Sequence, residues 1–83
     1  MERRAILEEL KKVLGPYTEN KEMLQHIDDN TDLVKDLKIN SSNLVDVIID
    51  AEAKYNIEID FDSSEKMITV GSCIDVIENK IEK

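Results

Sequence analysis

The residues of this chain that could do chemistry do not combine into a catalytic site. There is one histidine, His26, and one cysteine, Cys73, so an intrachain disulfide and a zinc site of paired cysteines and histidines are excluded. His26 could activate a serine, but no acid stands at a spacing that would orient its ring. Cys73 lies beside an apolar residue near the start of a predicted helix, and we expect it in the core. The sequence therefore does not predict an enzyme.

An acidic repeat at Asp28, Asn30 and Asp32 has the spacing that opens an EF-hand calcium loop. The sixth position of such a loop needs glycine and is Leu33 here. The twelfth needs a glutamate and is Ile39. The repeat is therefore not an EF-hand, and the sequence predicts no metal site.

Ser41 stands at the start of a predicted helix whose outer face is acidic. Asp46, Asp50 and Glu52 lie outside the apolar stripe of this helix, and Glu58 follows it. Taken alone, a serine at this place is an ordinary helix N-cap, and surface acids are an ordinary solvated face. The serine and the acids indicate a function only when the residues on either side of them are considered as well.

The elements that position these residues are predicted to be helices. Two glycines and one proline are too few turn-formers for a many-stranded sheet, and the apolar residues recur at helical spacing. Gly15-Pro16 should end the first helix, and Thr69 should cap the last one. We predict longer helices at 2–14, 41–55 and 70–81 and a short helix at 64–68. Residues 19–27, inside a long first connection at 17–39, could hold a further short helix. The predicted fold class is all-α, a small four-helix bundle of three longer helices and one short helix, in a single domain over residues 1–83.

The net negative charge of the protein limits the classes of molecule that it can bind. Eighty-three residues with 11 basic and 19 acidic side chains carry a formal charge of −8, which opposes nucleic acid and anionic membranes and favours basic proteins. The longest apolar run is three residues, far below the ~20 that cross a bilayer. Met1-Glu2-Arg3-Arg4 leads into a charged helix pattern rather than an apolar signal core. We expect no nucleic acid partner, no membrane insertion, and a cytoplasmic monomer.

The segment Asp36-Leu37-Lys38-Ile39-Asn40-Ser41-Ser42 resembles the prosthetic-group attachment region of acyl carrier proteins, where the pattern is Asp-Leu-Gly-x-Asp-Ser-Leu. The resemblance covers about half of the chain closely. The first helix fits by pattern only, and the connection after it looks longer than usual. Without a gap, the resemblance continues through Glu52-Ala53-Lys54-Tyr55, Ile57-Glu58-Ile59, Glu65-Lys66-Met67, Thr69-Val70 and Ile74-Asp75.

The resemblance implies a helical bundle of the acyl carrier protein type with a 4′-phosphopantetheine arm on Ser41. The arm would hold acyl groups as thioesters for enzymes of fatty-acid, lipid or polyketide-like biosynthesis. A phosphodiester suits the N–H groups and the positive dipole end of a helix N-terminus. The implied partners are a phosphopantetheinyl transferase and acyl-transfer or condensing enzymes whose basic patches meet Asp46, Asp50, Glu52 and Glu58.

Several residues depart from the family pattern. Lys38 replaces a glycine, Asn40 an aspartate and Ser42 a leucine that would touch partner enzymes, while Ala51 stands where a bulkier leucine is common. These departures lead us to expect a carrier specialised for one pathway. Ser42 is a competing attachment site, but choosing it shifts the apolar stripe by one residue, about 100° around the helix.

Two alternatives to this function stay open at this point. One is an acidic helical adaptor that binds a basic protein and never receives an arm. The other is a peptidyl, aryl or D-alanyl carrier, which would share both the fold and the arm.

Overall fold

Residues 2–81 of the protein are described by a computed structural model. The predicted all-α fold is confirmed, since the described residues contain helices, turns and a single isolated antiparallel bridge between Asp32 and Thr69. Met1, Glu82 and Lys83, which belong to the predicted domain, lie outside the described residues. The helices are α1 (Arg3–Leu14), α2 (Lys21–Leu24), a 3-10 helix (Ser41–Asn43), α3 (Leu44–Tyr55), α4 (Phe61–Ser64) and α5 (Val70–Ile81).

Helix α1 forms where its apolar stripe predicts it. Ile6, Leu10, Val13 and Leu14 are buried, and the lysines of the last turn complement the negative end of the helix dipole. The helix ends at Gly15, which keeps a right-handed helical conformation and donates its N–H to the Lys11 carbonyl at 2.9 Å. Pro16 has no N–H to continue the ladder.

The long first connection is an ordered part of the core. Helix α2 is shorter than the predicted 19–27, and it begins where the Asn20 side chain accepts the Met23 N–H at 3.0 Å. A stretch without clear periodicity thus supplies a large share of the apolar interior. The buried apolar residues of the connection are Leu24, Ile27, Leu33, Leu37 and Ile39.

The middle of the connection is joined to the start of α5 by backbone hydrogen bonds. The N–H of Leu33 donates to the Ile68 carbonyl at 3.0 Å, and the N–H of Val70 donates to the Thr31 carbonyl at 2.9 Å. Gly71 donates to the Asp29 carbonyl at 3.0 Å, and a Cβ at position 71 would lie 2.7 Å from that same oxygen. A residue without a side chain is therefore needed where the two segments meet.

Helix α4 begins earlier than the predicted 64–68, because the Asp60 carbonyl accepts the Ser64 N–H at 2.9 Å and closes the turn there. The predicted cap of α5 is present, since Thr69 Oγ1 accepts the Ser72 N–H at 3.2 Å and Ser72 Oγ accepts the Thr69 N–H at 2.9 Å. Both ends of this capping pair satisfy N–H groups that the helix leaves open.

The buried apolar residues form one cluster in which α1 packs against both α3 and α5. Tyr55, near the end of α3, donates its hydroxyl to the Ile6 carbonyl of α1 at 3.4 Å. Within residues 2–81, none of the helices has the length and apolar character to cross a membrane.

Candidate functional site

The backbone that leads to Ser41 is held by buried side chains on either side of Lys38. Leu37 and Ile39 are buried, and the Thr18 hydroxyl donates to the Leu37 carbonyl. Lys38 itself is exposed and has a φ of 57°, a conformation that glycine adopts without cost. The residue that replaces the glycine of the family pattern thus takes up a glycine-like backbone conformation.

Ser41 is the first residue of the 3-10 helix that opens into α3, and its side chain is exposed. The cap of this helix is Asn40, whose side-chain oxygen accepts both the N–H and the hydroxyl of Ser42 at 3.0 Å. No side-chain hydrogen bond among residues 2–81 involves the Ser41 hydroxyl. The two neighbouring serines therefore differ, because the Ser42 hydroxyl is bonded to the cap and the Ser41 hydroxyl is open to solvent.

Helix α3 turns one side to the core and the other to solvent. Val47 and Ala51 are buried, with Leu44, Ile48 and Tyr55 packed at the edge of the core. The sequence predicts that Val45 and Val47 both widen this buried stripe. Val47 is buried, as predicted, because it lies one turn before Ala51 on the side that faces the core. Val45 is 60% exposed instead, and Ile49, one turn later, is 54% exposed.

We use the term outer face of α3 for the exposed residues Val45, Asp46, Ile49 and Asp50. Two apolar and two acidic side chains alternate along it at helical spacing. A face with this composition suits a partner that offers apolar contacts together with basic groups. Nothing in the described structure covers these four side chains fully.

The four acids predicted to meet partner enzymes have different surroundings. Glu52 is half-buried, and its Oε2 accepts the Ile59 N–H at 2.8 Å, so this carboxylate holds the loop after α3. Asp50 Oδ2 accepts the Tyr17 hydroxyl at 2.6 Å. Asp46 and Glu58 take part in no side-chain hydrogen bond or ion pair within the described part of the chain.

Tyr17 is the residue of this site that the sequence analysis missed. The hydrogen bond to Asp50 raises the pKa of Tyr17 to about 12, with burial as the next cause and the charge of Asp46 adding to it. The bond joins residues 33 positions apart, and no local pattern relates a tyrosine after a Gly-Pro turn to an acid on a later helix. Only the packing of α1 against α3 brings them together.

The other residues considered for chemistry lie elsewhere. Cys73 is fully buried, as predicted, and burial raises the pKa of its thiol to about 12. His26 is exposed on the turn after α2, where it lines an open cleft with Met23 and Asp36. The carboxylate of Asp28 accepts the Asn30 N–H at 2.8 Å, which is a loop-capping role.

The other acid of the rejected EF-hand repeat also binds its own loop. Asp32 Oδ1 accepts the N–H groups of Val34 and Lys35 at 2.9 and 2.8 Å. Residues 2–81 contain no group of three side chains that could hold a metal ion.

Comparisons with curated proteins agree with the resemblance to acyl carrier proteins that the sequence shows. The chain is 32% identical over 81 residues to the acyl carrier protein of Coprothermobacter proteolyticus, covering 98% of this chain and 96% of that protein. It is 32% identical over 74 residues to the acyl carrier protein of Buchnera aphidicola subsp. Schizaphis graminum, covering 89% and 91%. A shorter match, 46% over 48 residues, is to the acyl carrier protein of Desulforapulum autotrophicum, covering 58% and 62%. No protein-family model matches the chain.

The full-length matches extend the likeness beyond the attachment region to α1 and the long connection. An identity of 32% over 98% of the chain shows the family, and the helical bundle with an exposed serine at the start of a central helix agrees with it. The chain belongs to the acyl carrier protein family.

Proposed function

We propose that this protein carries acyl intermediates as thioesters on a 4′-phosphopantetheine arm attached to Ser41 and delivers them to partner enzymes in fatty-acid, lipid or polyketide-like biosynthesis. The observation that carries the proposal is the exposed Ser41 hydroxyl at the opening of the helix. A modifying enzyme needs that oxygen within reach and not committed to another bond. The Ser42 hydroxyl, bonded to Asn40, fits this requirement less well.

The residues around Ser41 suit the phosphodiester of such an arm. The 3-10 helix runs directly into the twelve residues of α3, so that Ser41 lies at the positive end of a long helix dipole. Lys38, three residues before Ser41, is exposed and adds a positive charge to the same segment. When bound, the arm supplies a flexible thiol, and tethering raises the local concentration of cargo at any enzyme that docks the carrier.

The protein itself needs no catalytic group for this role, and we propose that it is not an enzyme. The transferase brings coenzyme A, a metal ion and the base that activates the serine. The chain's own thiol, Cys73, cannot replace the thiol of the arm, because it is buried and its pKa is raised to about 12. The residues of this chain present and orient the serine.

We propose that basic partner enzymes dock on α3, with Asp46 as the principal acid. Asp46 lies on the outer face of α3 between Val45 and Ile49 and is exposed. Asp50 and Glu58 contribute at the edges of the surface. Glu52 stands at a position where the family has a recognition acid, but its bond to the Ile59 N–H gives it a structural role as well.

The domain organisation, oligomeric state and compartment of the protein are also part of the proposed function. We propose that residues 1–83 act as one carrier domain, as a monomer in the cytoplasm. The single buried cluster found among residues 2–81 supports one domain, and the net charge of −8 opposes self-association.

Intact-mass measurement after co-expression with a phosphopantetheinyl transferase of broad specificity tests the attachment site. We expect a mass increase of one phosphopantetheinyl group in the wild type and in Ser42→Ala, and none in Ser41→Ala. An unmodified wild type would favour the alternative of an adaptor without an arm. A shift lost only in Ser42→Ala would move the site by one residue.

The identity of the thioester that co-purifies with the loaded protein distinguishes an acyl cargo from an aminoacyl or aryl cargo. An acyl group is expected. An amino acid or aryl acid on the arm would assign the protein to the peptidyl, aryl or D-alanyl carriers instead.

The docking surface is tested by comparing Asp46→Asn with Glu52→Gln in the same loading reaction. We expect Asp46→Asn to raise the KM of the transferase for the carrier about fivefold, because one desolvated charge pair contributes on the order of 1 kcal/mol. Glu52→Gln keeps an oxygen for the Ile59 N–H and should change KM less. Equal effects of the two substitutions would contradict the leading role of Asp46.

A further inference from the structure

Tyr17 joins the connection after α1 to the outer face of α3. Its ring packs against the core, while its hydroxyl donates to Asp50 Oδ2 at 2.6 Å. Among the side-chain hydrogen bonds within residues 2–81, it is the one bond between the connection 15–40 and α3. Because the core holds the ring and the hydroxyl points to Asp50, Tyr17 fixes one carboxylate oxygen of Asp50 on the proposed docking surface.

This bond changes what Asp50 can offer to an approaching cation. A lysine ammonium is a compact point charge and can bind the remaining oxygen, Oδ1, alone. An arginine guanidinium reaches its full strength only when it donates two parallel hydrogen bonds to both carboxylate oxygens. With Tyr17 in place, the second of these bonds has to share Oδ2 with the phenol, which already occupies one of the two lone pairs of that oxygen and weakens it as an acceptor.

We propose that Tyr17 is a specificity-determining residue of the docking surface, because its hold on Asp50 Oδ2 makes this position accept a lysine ammonium in preference to a bidentate arginine guanidinium. The inference rests on the proposed function, in which basic partners dock on the outer face of α3. The partner it implies carries a lysine, not an arginine, opposite Asp50.

The hydrogen bond persists over the physiological pH range. Hydrogen bonding to Asp50, followed by burial, raises the pKa of Tyr17 to about 12, so the phenol stays protonated and remains a donor. Asp46, one turn before Asp50, keeps the surroundings negative and opposes ionisation of the phenol. A change of pH near neutrality therefore does not break the bond between Tyr17 and Asp50, and the preference for lysine over arginine holds over this range.

Hexalysine and hexaarginine peptides serve as probes, titrated into the wild type and into Tyr17→Phe. Binding is followed by the amide chemical shifts of Asp46 and Asp50 in nuclear magnetic resonance spectra. We expect Tyr17→Phe to tighten hexaarginine binding at this face about fivefold, because the guanidinium bond to Oδ2 no longer shares that oxygen with the phenol, and to change hexalysine binding by less than about twofold. The ratio of the two affinities is the quantity that a merely structural role of Tyr17 would not move.

Two further variants make the test specific. Tyr55→Phe removes the other phenol, which bonds the Ile6 carbonyl, and should leave the ratio of the two affinities unchanged. In an Asp50→Asn background, Tyr17→Phe should no longer alter the ratio, because the carboxylate over which the phenol and the guanidinium compete is gone.

The outcomes separate this inference from the function on which it rests. If both peptides shift Asp46 and Asp50 but Tyr17→Phe changes their affinities by the same factor, the role of Tyr17 is overturned and docking on α3 stands. If neither peptide shifts these residues, docking on α3 and the role of Tyr17 are both overturned. Loading of Ser41, measured by mass, reports on the carrier assignment independently of either result.

Discussion

Helices α3 and α5 have the same length, twelve residues, but they use their surfaces differently. Helix α5 buries six residues, including its second residue, Gly71, and its thiol-bearing residue, Cys73. Helix α3 buries only Val47 and Ala51 and leaves two large aliphatic side chains in solvent. Of these two helices, α5, which has no proposed ligand, is thus buried more deeply in the core, while α3, which follows Ser41, contacts the core along one narrow side and exposes the other. Stability and recognition are assigned to different helices.

The largest expected effect comes from the same truncation made on both helices. Ile74 of α5 is 1% exposed and Ile49 of α3 is 54% exposed. Ile74→Ala should lower the free energy of unfolding by about 3 kcal/mol, through lost burial and the cavity left behind. Ile49→Ala should change it by less than about 0.5 kcal/mol. Equilibrium unfolding in urea measures both, and similar losses would break the contrast between the two helices.

A second comparison makes opposite substitutions in the two helices, glycine to alanine in α5 and alanine to glycine in α3. Gly71→Ala should cost about 2 kcal/mol although alanine favours helices, because the new Cβ would lie 2.7 Å from the Asp29 carbonyl oxygen and 2.9 Å from Asp29 Cβ. On exposed Ala53 of α3, the reverse change, Ala53→Gly, should cost about 1 kcal/mol from helix propensity alone. Thermal unfolding of both variants checks this, and a Gly71→Ala protein as stable as the wild type would contradict the close approach.

Two residues with positive φ within residues 2–81 lie on either side of α3 and allow a smaller test. Lys38 has a φ of 57° before the helix, and Asn56 has a φ of 54° as its C-cap. Lys38→Gly should raise the free energy of unfolding by about 1 kcal/mol, since left-handed backbone is costly for lysine. Asn56→Gly should gain less, because asparagine tolerates this conformation. Paired urea titrations give the difference, and a larger gain at Asn56 would reverse the expectation.

The smallest expected effect lies at the end of α5 and depends on pH. Asp60 accepts Lys80 Nζ at 3.1 Å, and hydrogen bonds to Ser63 and then to Lys80 lower the pKa of Asp60 from 3.8 to about 2. Because the pKa of the folded state is the lower one, the stabilisation is present above pH 3.8 and is lost as the pH falls through 2. Asp60→Asn should therefore lower the melting temperature slightly at pH 6 and make a much smaller difference at about pH 2. A difference as large at pH 2 as at pH 6 would assign the effect to something other than the charge of Asp60.

Much of the fold could be predicted because its signals are local. The stripe of Ile6, Leu10 and Leu14 predicts α1, and the pair Thr69 and Ser72 marks the start of α5 within four residues of chain. The long connection could not be predicted in the same way. Leu33 and Leu37 are buried there without helical periodicity. A backbone bond to Ile68 holds Leu33 in place, and bonds to Asp32 and Thr18 hold Leu37, so neither depends on a helix of its own.

The candidate site also has some features that local sequence signals predict and others that depend on tertiary contacts. The type and position of Ser41, the acids that follow it and the helix that it opens can be seen in the sequence. Whether Ser41 or Ser42 has the open hydroxyl depends on which of them Asn40 caps, a matter of side-chain geometry. The prediction that Val45 belongs to the buried stripe was wrong because the axial rotation of α3 against α1 is set by packing, and a helix of mixed composition allows more than one such rotation.

The sequence by itself determined the excess of acid, which is a matter of composition. It also determined the three longer helices and the serine at a helix opening, since these depend on residues within one or two turns of each other. Only the tertiary structure decided that Tyr17 meets Asp50, that Glu52 holds the loop after α3, and that Gly71 touches Asp29. Each of the contacts with Asp50 and Asp29 joins residues more than thirty positions apart. Such contacts form because burying the whole apolar cluster at once fixes how the helices pack, and no local pattern contains that information.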